Sequence, residues 1–206
     1  MKVTVLSATE NPVDVIGIAA GTCYGKSDVN EKHEKREKRI RHCFINDHMS
    51  VFEHASITFQ VEGISRACMA QLTRHRLVSF CVESQRYNRY DLSGFDWYVI
   101  PPSFDGEKGT LPAPFFDTAM ASASFDYKKA LAHGIKPEDA RYLLPEATKT
   151  NLVMTMNARN LFHLFDMRLD KAAQWEIREL MREVKKQAAS YNEQWRQVIE
   201  LHGGES

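Results

Sequence analysis

One stretch of the chain mixes charged side chains with residues that usually lie in a protein core. From Arg74 to Tyr87 it carries three arginines, a histidine, two serines and a glutamine, among apolar residues such as Phe80 and Val82. Arginine is rarely buried without a partner, and its planar guanidinium donates paired hydrogen bonds to carboxylate or phosphate groups. The stretch therefore predicts a partly buried anion site, best suited to phosphate, beside an apolar surface that suits a flat ring.

Arginines recur in similar mixed surroundings elsewhere, which gives the set Arg74, Arg76, Arg86, Arg141, Arg159 and Arg168. Lys+Arg and Asp+Glu both number 27, so the formal net charge is zero. This balance argues against a general nucleic-acid binder, which needs a basic excess. A nucleotide monophosphate and a dinucleotide cofactor would together satisfy these local charges. The sequence lacks both a Gly-x-Gly-x-x-Gly motif and a P-loop, which argues against a Rossmann site and a nucleotide triphosphatase.

Histidines and cysteines offer two further kinds of chemistry. His48, Glu53 and His54 lie close together, but their spacing is not His-Glu-x-x-His and no other ligands stand nearby, so no metal site is predicted. The four cysteines form no Cys-x-x-Cys pair, which with no signal peptide predicts a reducing cytoplasm. Cys81 is a weak candidate nucleophile, because Phe80 and Val82 would raise the pKa of its thiol if they bury it.

The arginine-rich stretch resembles the signature of the flavin-dependent thymidylate synthases. Arg74-His75-Arg76 is followed after seven residues by Ser84-Gln85-Arg86, as in that family's motif. A second match runs from Asn157 to Arg168 and on to Arg178. The resemblance implies an α+β fold with a central, mostly antiparallel sheet flanked by long helices, formed by a single domain over residues 1–206.

The resemblance also implies which residues bind which ligand. Those expected to bind dUMP are Gln71, Arg74, Ser84, Gln85, Arg86, Arg141 and Arg168. Those expected to bind FAD are His48, Ser50, Glu53, Arg74, His75, Arg76, Leu77, Asn157, Arg159 and His163. Arg168 is the catalytic candidate, because an arginine beside the uracil ring can stabilise negative charge and activate C5 without a covalent adduct.

The reaction implied by the resemblance is reductive methylation of dUMP to dTMP. NADPH would reduce bound FAD, methylenetetrahydrofolate would supply the carbon, and the reduced flavin would supply a hydride. The family also implies a homotetramer with sites at subunit interfaces.

Two alternatives stay open at this point. Relatives usually have Asn or Ser in place of Cys81 and Glu or Gln in place of Val82, whereas here a glutamate follows one place later, at Glu83. This departure allows a related flavoenzyme that modifies another pyrimidine nucleotide. The second alternative is a flavin- or nucleotide-binding relative that has lost catalysis.

The elements that must position these residues follow from periodicity. A chain of 206 residues with 43% hydrophobic and 26% charged residues suits one globular domain of mixed α and β structure, and no apolar run of about 20 residues predicts a membrane span. Alternating apolar residues predict strands over 2–7, 57–62, 95–100 and 147–156. Helical spacing predicts helices from Pro12, over 28–46, from 64 to 75, over 114–133, from Pro137, from Asn157 and from 171 to 201, the last capped by Asp170. Residues 103–112 are predicted to form a loop.

Overall fold

A four-stranded antiparallel sheet with flanking helices forms the architecture, as expected for the predicted α+β fold. The structure, a computed structural model, describes residues 1–26, 28–88, 90, 92–94, 96–104 and 113–203. The strands are β1 (Lys2–Ala8), β2 (Ser56–Ser65), β3 (Ser79–Val82) and β4 (Lys149–Asn157), in the sheet order β1-β2-β4-β3. The helices are α1 (Pro12–Thr22), α2 (His33–Ile45), α3 (Arg66–Leu72), α4 (Ala113–Ala132), α5 (Pro137–Ala140), α6 (Ala158–Arg168), α7 (Trp175–Tyr191) and α8 (Glu193–Leu201). Short 3-10 helices span Met49–His54, Pro102–Phe104 and Arg141–Leu143.

The chain divides into two compact units. The first comprises Met1–Val61, Thr73–Cys81 and Val153–Ser206, and the second comprises Glu62–Leu72 and Val82–Leu152. The assignment of the whole chain to a single domain stays a prediction. None of the helices in the described part of the chain is long and apolar enough to cross a membrane.

Apolar side chains at every second position give the two inner strands one buried face each. In β2 these are Ile57, Phe59 and Val61, and in β4 they include Met154 and Met156. Because successive side chains of a strand point to opposite faces, this alternation fixes the register of the pairing. The sequence pattern thus placed both strands correctly, within a few residues at each end.

Two helices of the first unit replace the single long helix predicted at the C-terminal end. Helix α7 starts at Trp175, because the Gln174 side chain accepts hydrogen bonds from the first-turn amides. The Asp170 side chain accepts from Ala172 N at 2.7 Å, ahead of the helix, so it does not cap α7. Asn192 then adopts an extended backbone and its side chain accepts from Trp195 N at 2.8 Å, which starts α8. An asparagine side chain competes well with the helix ladder as a cap, and the apolar stripe alone did not reveal this break.

A buried arginine joins α1 to α2 in the first unit. Arg36 is only 6% exposed, and its Nη1 donates to Asp14 Oδ1 at 2.9 Å while its Nη2 donates to Val29 O at 2.5 Å. Gly17 permits this approach, since a Cβ at that position would lie 2.6 Å from Arg36 Cβ. Arg36 thus ties α2 to α1. The predicted helix over 28–46 ends close to the observed end, but α2 begins only at His33.

Aromatic residues form the core of the second unit where a strand was predicted. Over the described part of 95–100, Tyr98 makes only an isolated antiparallel bridge to Thr148, so the strand prediction is wrong. Trp97 and Tyr98 are instead buried with Met120 and Tyr127 of α4, and Tyr98 Oη donates to Asp117 Oδ1 at 2.6 Å. Aromatic residues are common in strands because they suit buried positions, and here the same residues are buried without forming a strand. The predicted loop over 103–112 lies largely outside the described residues.

Candidate functional site

The arginine-rich stretch is divided between the two units, and each part has its own surroundings. Its first part ends in β3, a strand that the sequence did not predict. Before β3, Leu77 has a positive φ of 63° and is 84% exposed. Its carbonyl oxygen accepts a hydrogen bond from Asn160 Nδ2 at 3.1 Å, which ties this turn to α6. A branched apolar residue in the left-handed region is unusual and often marks a functional turn.

The two segments that carry the family resemblance meet in the first unit through His75. Arg168 Nε donates to His75 Nε2 at 2.8 Å, and the rings of His75 and His163 lie edge to face with centroids 5.9 Å apart. A ring nitrogen that accepts a hydrogen bond carries no proton, so the proton of neutral His75 sits on Nδ1. Burial, and then the charges of Arg168 and His163, lower the pKa of His75 below its ordinary value of 6.5.

A pH titration tests this arrangement. Because the folded-state pKa of His75 lies below 6.5, the unfolded chain takes up a proton there first, so the His75 contribution to stability is complete above about pH 6.5 and is lost as the pH falls below it. We expect the free energy of unfolding of the wild type to fall more steeply from pH 7 to pH 5.5 than that of His75→Gln, whose amide stays neutral. Urea unfolding at each pH measures the difference. Parallel pH profiles for the two proteins would contradict a neutral His75 that accepts from Arg168.

A polar cavity of about 320 Å³ lies near this cluster in the first unit. Its lining residues are Glu53, Leu77, Val78, Ser79, Asn157, Arg159 and Asn160. Asn157 caps α6, as predicted, since its Oδ1 accepts from Asn160 N at 3.0 Å. Arg159 Nη1 donates to Glu53 Oε1 at 2.5 Å across the cavity wall. The structure thus brings together four of the residues expected to bind FAD.

The remaining residues expected to bind FAD are mostly exposed in the same unit. His48 and Ser50 lie at the start of the 3-10 helix Met49–His54. Arg74 and Arg76 are exposed and make no ion pair with any residue of the described ranges. The amides beside the cavity suit a polar ring, and the guanidinium groups of Arg74 and Arg76 suit a pyrophosphate, so together they suit a cofactor that carries both. The cavity alone is at the small end of ligand pockets, about 300–1,000 Å³, and suits a part of FAD.

A second cavity, also of about 320 Å³, belongs to the second unit. It is lined by Arg66, Met69, Ala70, Gln85, Arg141, Tyr142, Leu144, Pro145 and Glu146. Arg141 Nε donates to Glu138 O at 3.0 Å, which orients the guanidinium and leaves its two terminal nitrogens for a ligand. Arg86 Nη2 lies 3.3 Å from Glu138 Oε2, so one glutamate holds both arginines.

Arg66 is a cavity residue that the sequence interpretation missed. Its Nη2 donates to Glu83 O at 2.9 Å and to Tyr90 Oη at 3.1 Å. Its Nε is buried and has no hydrogen-bond partner among the residues that the structure describes. A buried unsatisfied donor is costly, but this atom has almost no accessible surface, so Arg66 lines the cavity through other parts of its side chain. Arginine in apolar company, the same signal that singled out Arg74, was present at Ile64-Ser65-Arg66.

Two other residues expected to bind dUMP, Gln71 and Ser84, make hydrogen bonds within the protein. Gln71 Nε2 lies 3.5 Å from Ala67 O of its own helix, and Ser84 Oγ accepts from Arg86 N at 3.2 Å. The Glu83 carboxylate accepts from Asn151 Nδ2 at 2.9 Å. Cys81 is exposed, so Phe80 and Val82 do not bury its thiol.

Comparisons with known proteins agree on one family. The model of the family described as thymidylate synthase complementing protein matches residues 4–191. The flavin-dependent thymidylate synthase of Haloarcula marismortui is 38% identical over 226 residues, covering 93% of this chain and 92% of the relative. That of Geobacter sulfurreducens is 39% identical, covering 87% of this chain and 78% of the relative.

Solved structures give the same result for the fold. A crystal structure of the flavin-dependent thymidylate synthase of Helicobacter pylori, complexed with FAD and dUMP, matches with a TM-score of 0.75 at 25% identity, covering 91% of this chain and 93% of that one. A second structure of the Helicobacter pylori protein with FAD and dUMP matches with a TM-score of 0.79 over the whole of both chains; at 24% identity it supports the fold alone.

Proposed function

Since the chain belongs to the flavin-dependent thymidylate synthases, we propose that it converts dUMP to dTMP with FAD as its cofactor. The family match across nearly the whole chain carries this proposal. FAD, when bound, accepts a hydride from a reductant and passes one to the nucleotide. The protein's own part is to bind the two anionic ligands, to orient them and to stabilise charge.

The co-substrates and the assembly form the finer part of the proposal. Methylenetetrahydrofolate supplies the transferred carbon and NADPH supplies the reducing electrons. The enzyme acts in the cytoplasm as a homotetramer with its sites at subunit interfaces. The exposed guanidinium groups of Arg74 and Arg76, which form no ion pair with the described residues, support a site that a neighbouring subunit completes.

The cavity of the first unit is proposed to hold part of FAD. Asn157 and Asn160 present amides there, and Arg159 is held by Glu53. His48, Ser50, Arg74, His75, Arg76 and His163 complete the proposed set, with the exposed arginines placed for phosphate.

The cavity of the second unit is proposed to bind the phosphate of dUMP. Arg66, Gln85 and Arg141 line it, and Arg86 shares Glu138 with Arg141. Gln71, Arg74, Ser84 and Arg168 remain in the proposed dUMP set through the family resemblance. Arg168 is proposed to face the uracil ring and to stabilise the negative charge that develops on it.

Purified protein provides the direct test of function. We expect a yellow protein whose flavin absorbance bleaches with NADPH, and which forms dTMP only when dUMP and methylenetetrahydrofolate are added. A yellow protein that bleaches but gives a different pyrimidine product would favour the related flavoenzyme. A yellow protein that gives no product from any pyrimidine nucleotide would favour the inactive relative.

Arg141→Ala should weaken dUMP binding through the phosphate. A hydrogen bond to a charged group contributes about 1.5–3 kcal/mol, so we expect the Kd for dUMP to rise about 10- to 100-fold. Binding of deoxyuridine, which lacks the phosphate, should change little. Calorimetry with both ligands measures the two effects, and Lys136→Ala, just before α5, serves as the control. Equal losses for dUMP and deoxyuridine would place Arg141 away from the phosphate.

A further inference from the structure

A broad basic groove lies on the first unit and shares no lining residue with the other cavity of that unit. Its volume is about 650 Å³, and four cationic side chains line it: Arg41, Arg182, Lys185 and Lys186. Its apolar wall contains Leu169 and Ile199. We refer to it as the basic groove. A volume of this size falls within the range of small-molecule sites, about 300–1,000 Å³.

The charges of the basic groove are only partly balanced. Arg41 lies 3.9 Å from Glu37, and Lys186 lies 3.6 Å from Glu183, both as exposed pairs within one helix. Such pairs are weak and easily exchanged for a better anion. Arg182 and Lys185 form no ion pair with a carboxylate of the described residues, and Glu200 is the acidic residue of the lining. The groove therefore attracts anions that also carry an apolar part.

Lys185 stands at the end of a chain of polar contacts. Its Nζ lies 3.4 Å from His202 Nδ1, and His202 Nε2 lies 2.8 Å from Asp166 Oδ1. Because the Asp166 carboxylate accepts, His202 donates from Nε2 and keeps Nδ1 free to accept a proton from the amine. The Nζ also lies 5.6 Å from the centre of the Phe165 ring. Burial lowers the pKa of Lys185, which increases its neutral, nucleophilic form.

We propose that the basic groove binds a small organic phosphate that carries an aldehyde or ketone, and that Lys185 Nζ forms a reversible imine with it. Arg182 and Lys186 hold the phosphate while the apolar wall contacts the carbon skeleton. The neutral amine adds to the carbonyl carbon and forms a C–N bond, and the nitrogen passes a proton to His202 Nδ1. The former carbonyl oxygen takes up that proton from His202 and a second proton from the solvent, and it leaves as water when the protonated C=N bond forms. No oxidant or reductant is needed, and hydrolysis reverses the reaction.

Pyridoxal 5′-phosphate, an aromatic aldehyde with a phosphate, is a suitable probe. The full-length protein is incubated with it, the imine is reduced with borohydride, and the labelled lysines are mapped by peptide mass spectrometry. Lys129 is the matched control, because it is exposed and also lies over a phenylalanine ring, at 5.9 Å, but does not line the basic groove. With the phosphate anchored, we expect Lys185 to be labelled at least about tenfold faster than Lys129.

Three comparisons decide the proposal. Inorganic phosphate and Arg182→Gln should both slow the labelling of Lys185 and leave Lys129 unchanged. Asp166→Asn should lower the maximal labelling rate at saturating probe without changing the probe concentration that gives half of it, as expected for a residue that positions His202. Equal labelling of Lys185 and Lys129, or labelling of Lys185 that inorganic phosphate does not slow, would overturn the site. An unchanged maximal rate in Asp166→Asn would overturn the proton-accepting role of His202.

Discussion

Arg168→Ala is expected to lower the turnover of dUMP by about 10²–10³-fold, the usual loss when one donor that stabilises developing charge is removed. The side chain reaches its position through the hydrogen bond from Nε to His75, which leaves the two terminal nitrogens of the guanidinium for the substrate. The proposed FAD cavity is lined by other residues, so FAD should stay bound in the variant. The visible spectrum and dTMP formation under saturating substrates measure the two properties on one sample.

Two variants give this experiment its controls. Arg168→Lys keeps the charge but loses the planar fork, and we expect it to recover only a small part of the activity. Arg196→Ala removes an exposed arginine that pairs with Glu193 and should leave turnover unchanged. Turnover of Arg168→Ala at the wild-type rate would remove Arg168 from the catalytic step.

Asp14→Ala is expected to destabilise the protein by about 3–5 kcal/mol, since it leaves the Arg36 charge buried without its carboxylate. Arg36 and Asp14 side chains are 8% and 26% exposed. Burial raises the pKa of Asp14, but hydrogen bonds from Arg36, Gln194 and His33 outweigh it and lower the pKa below 3.8. The stabilisation by Asp14 is therefore complete above about pH 4 and is lost as the pH falls through the lowered pKa.

Denaturant unfolding at neutral pH measures the effect of Asp14→Ala. Glu37→Ala is the matched control, because Glu37 pairs with Arg41 on the surface of α2 at 3.9 Å. Such an exposed pair contributes about 0–1 kcal/mol, so this variant should remain close to the wild type. Equal losses in both variants would mean that the buried pair contributes no more than a surface pair.

Periodic patterns predicted most of the elements, because the burial of one face repeats along a strand or helix. β2, β4, α1 and α4 were found this way, and the cap at Asn157 followed from its side-chain chemistry. The pattern gave no warning of the break at Asn192, where one side chain outcompetes the helix ladder. It also predicted a strand around Tyr98 that is absent from the described residues there. Trp97 and Tyr98 are aromatic residues of a type common in strands, but Tyr98 forms only an isolated bridge.

The residue types in the sequence predicted what kind of ligand the site binds, but not which residues contact one another. Arginines in apolar company pointed to anion sites, and the family resemblance named the ligands. Contacts between distant positions are invisible in a linear pattern: the pair His75–Arg168 and the shared partner Glu138 of Arg86 and Arg141 depend on tertiary folding. Arg66 carried the same signal as Arg74, yet only its position in the cavity distinguishes it from a surface arginine.

The close approach at Gly17 links three positions of the chain in evolution. Any side chain at position 17 would strike the stem of Arg36, whose Cβ is 2.6 Å from where a new Cβ would stand. Because the nearest atom of Arg36 is its Cβ, which every residue except glycine carries, replacing the arginine alone does not make room for a larger residue at position 17. The two helices must then move apart, which separates Arg36 from Asp14. Positions 14, 17 and 36 should therefore vary together among descendants of this sequence, as one inherited set.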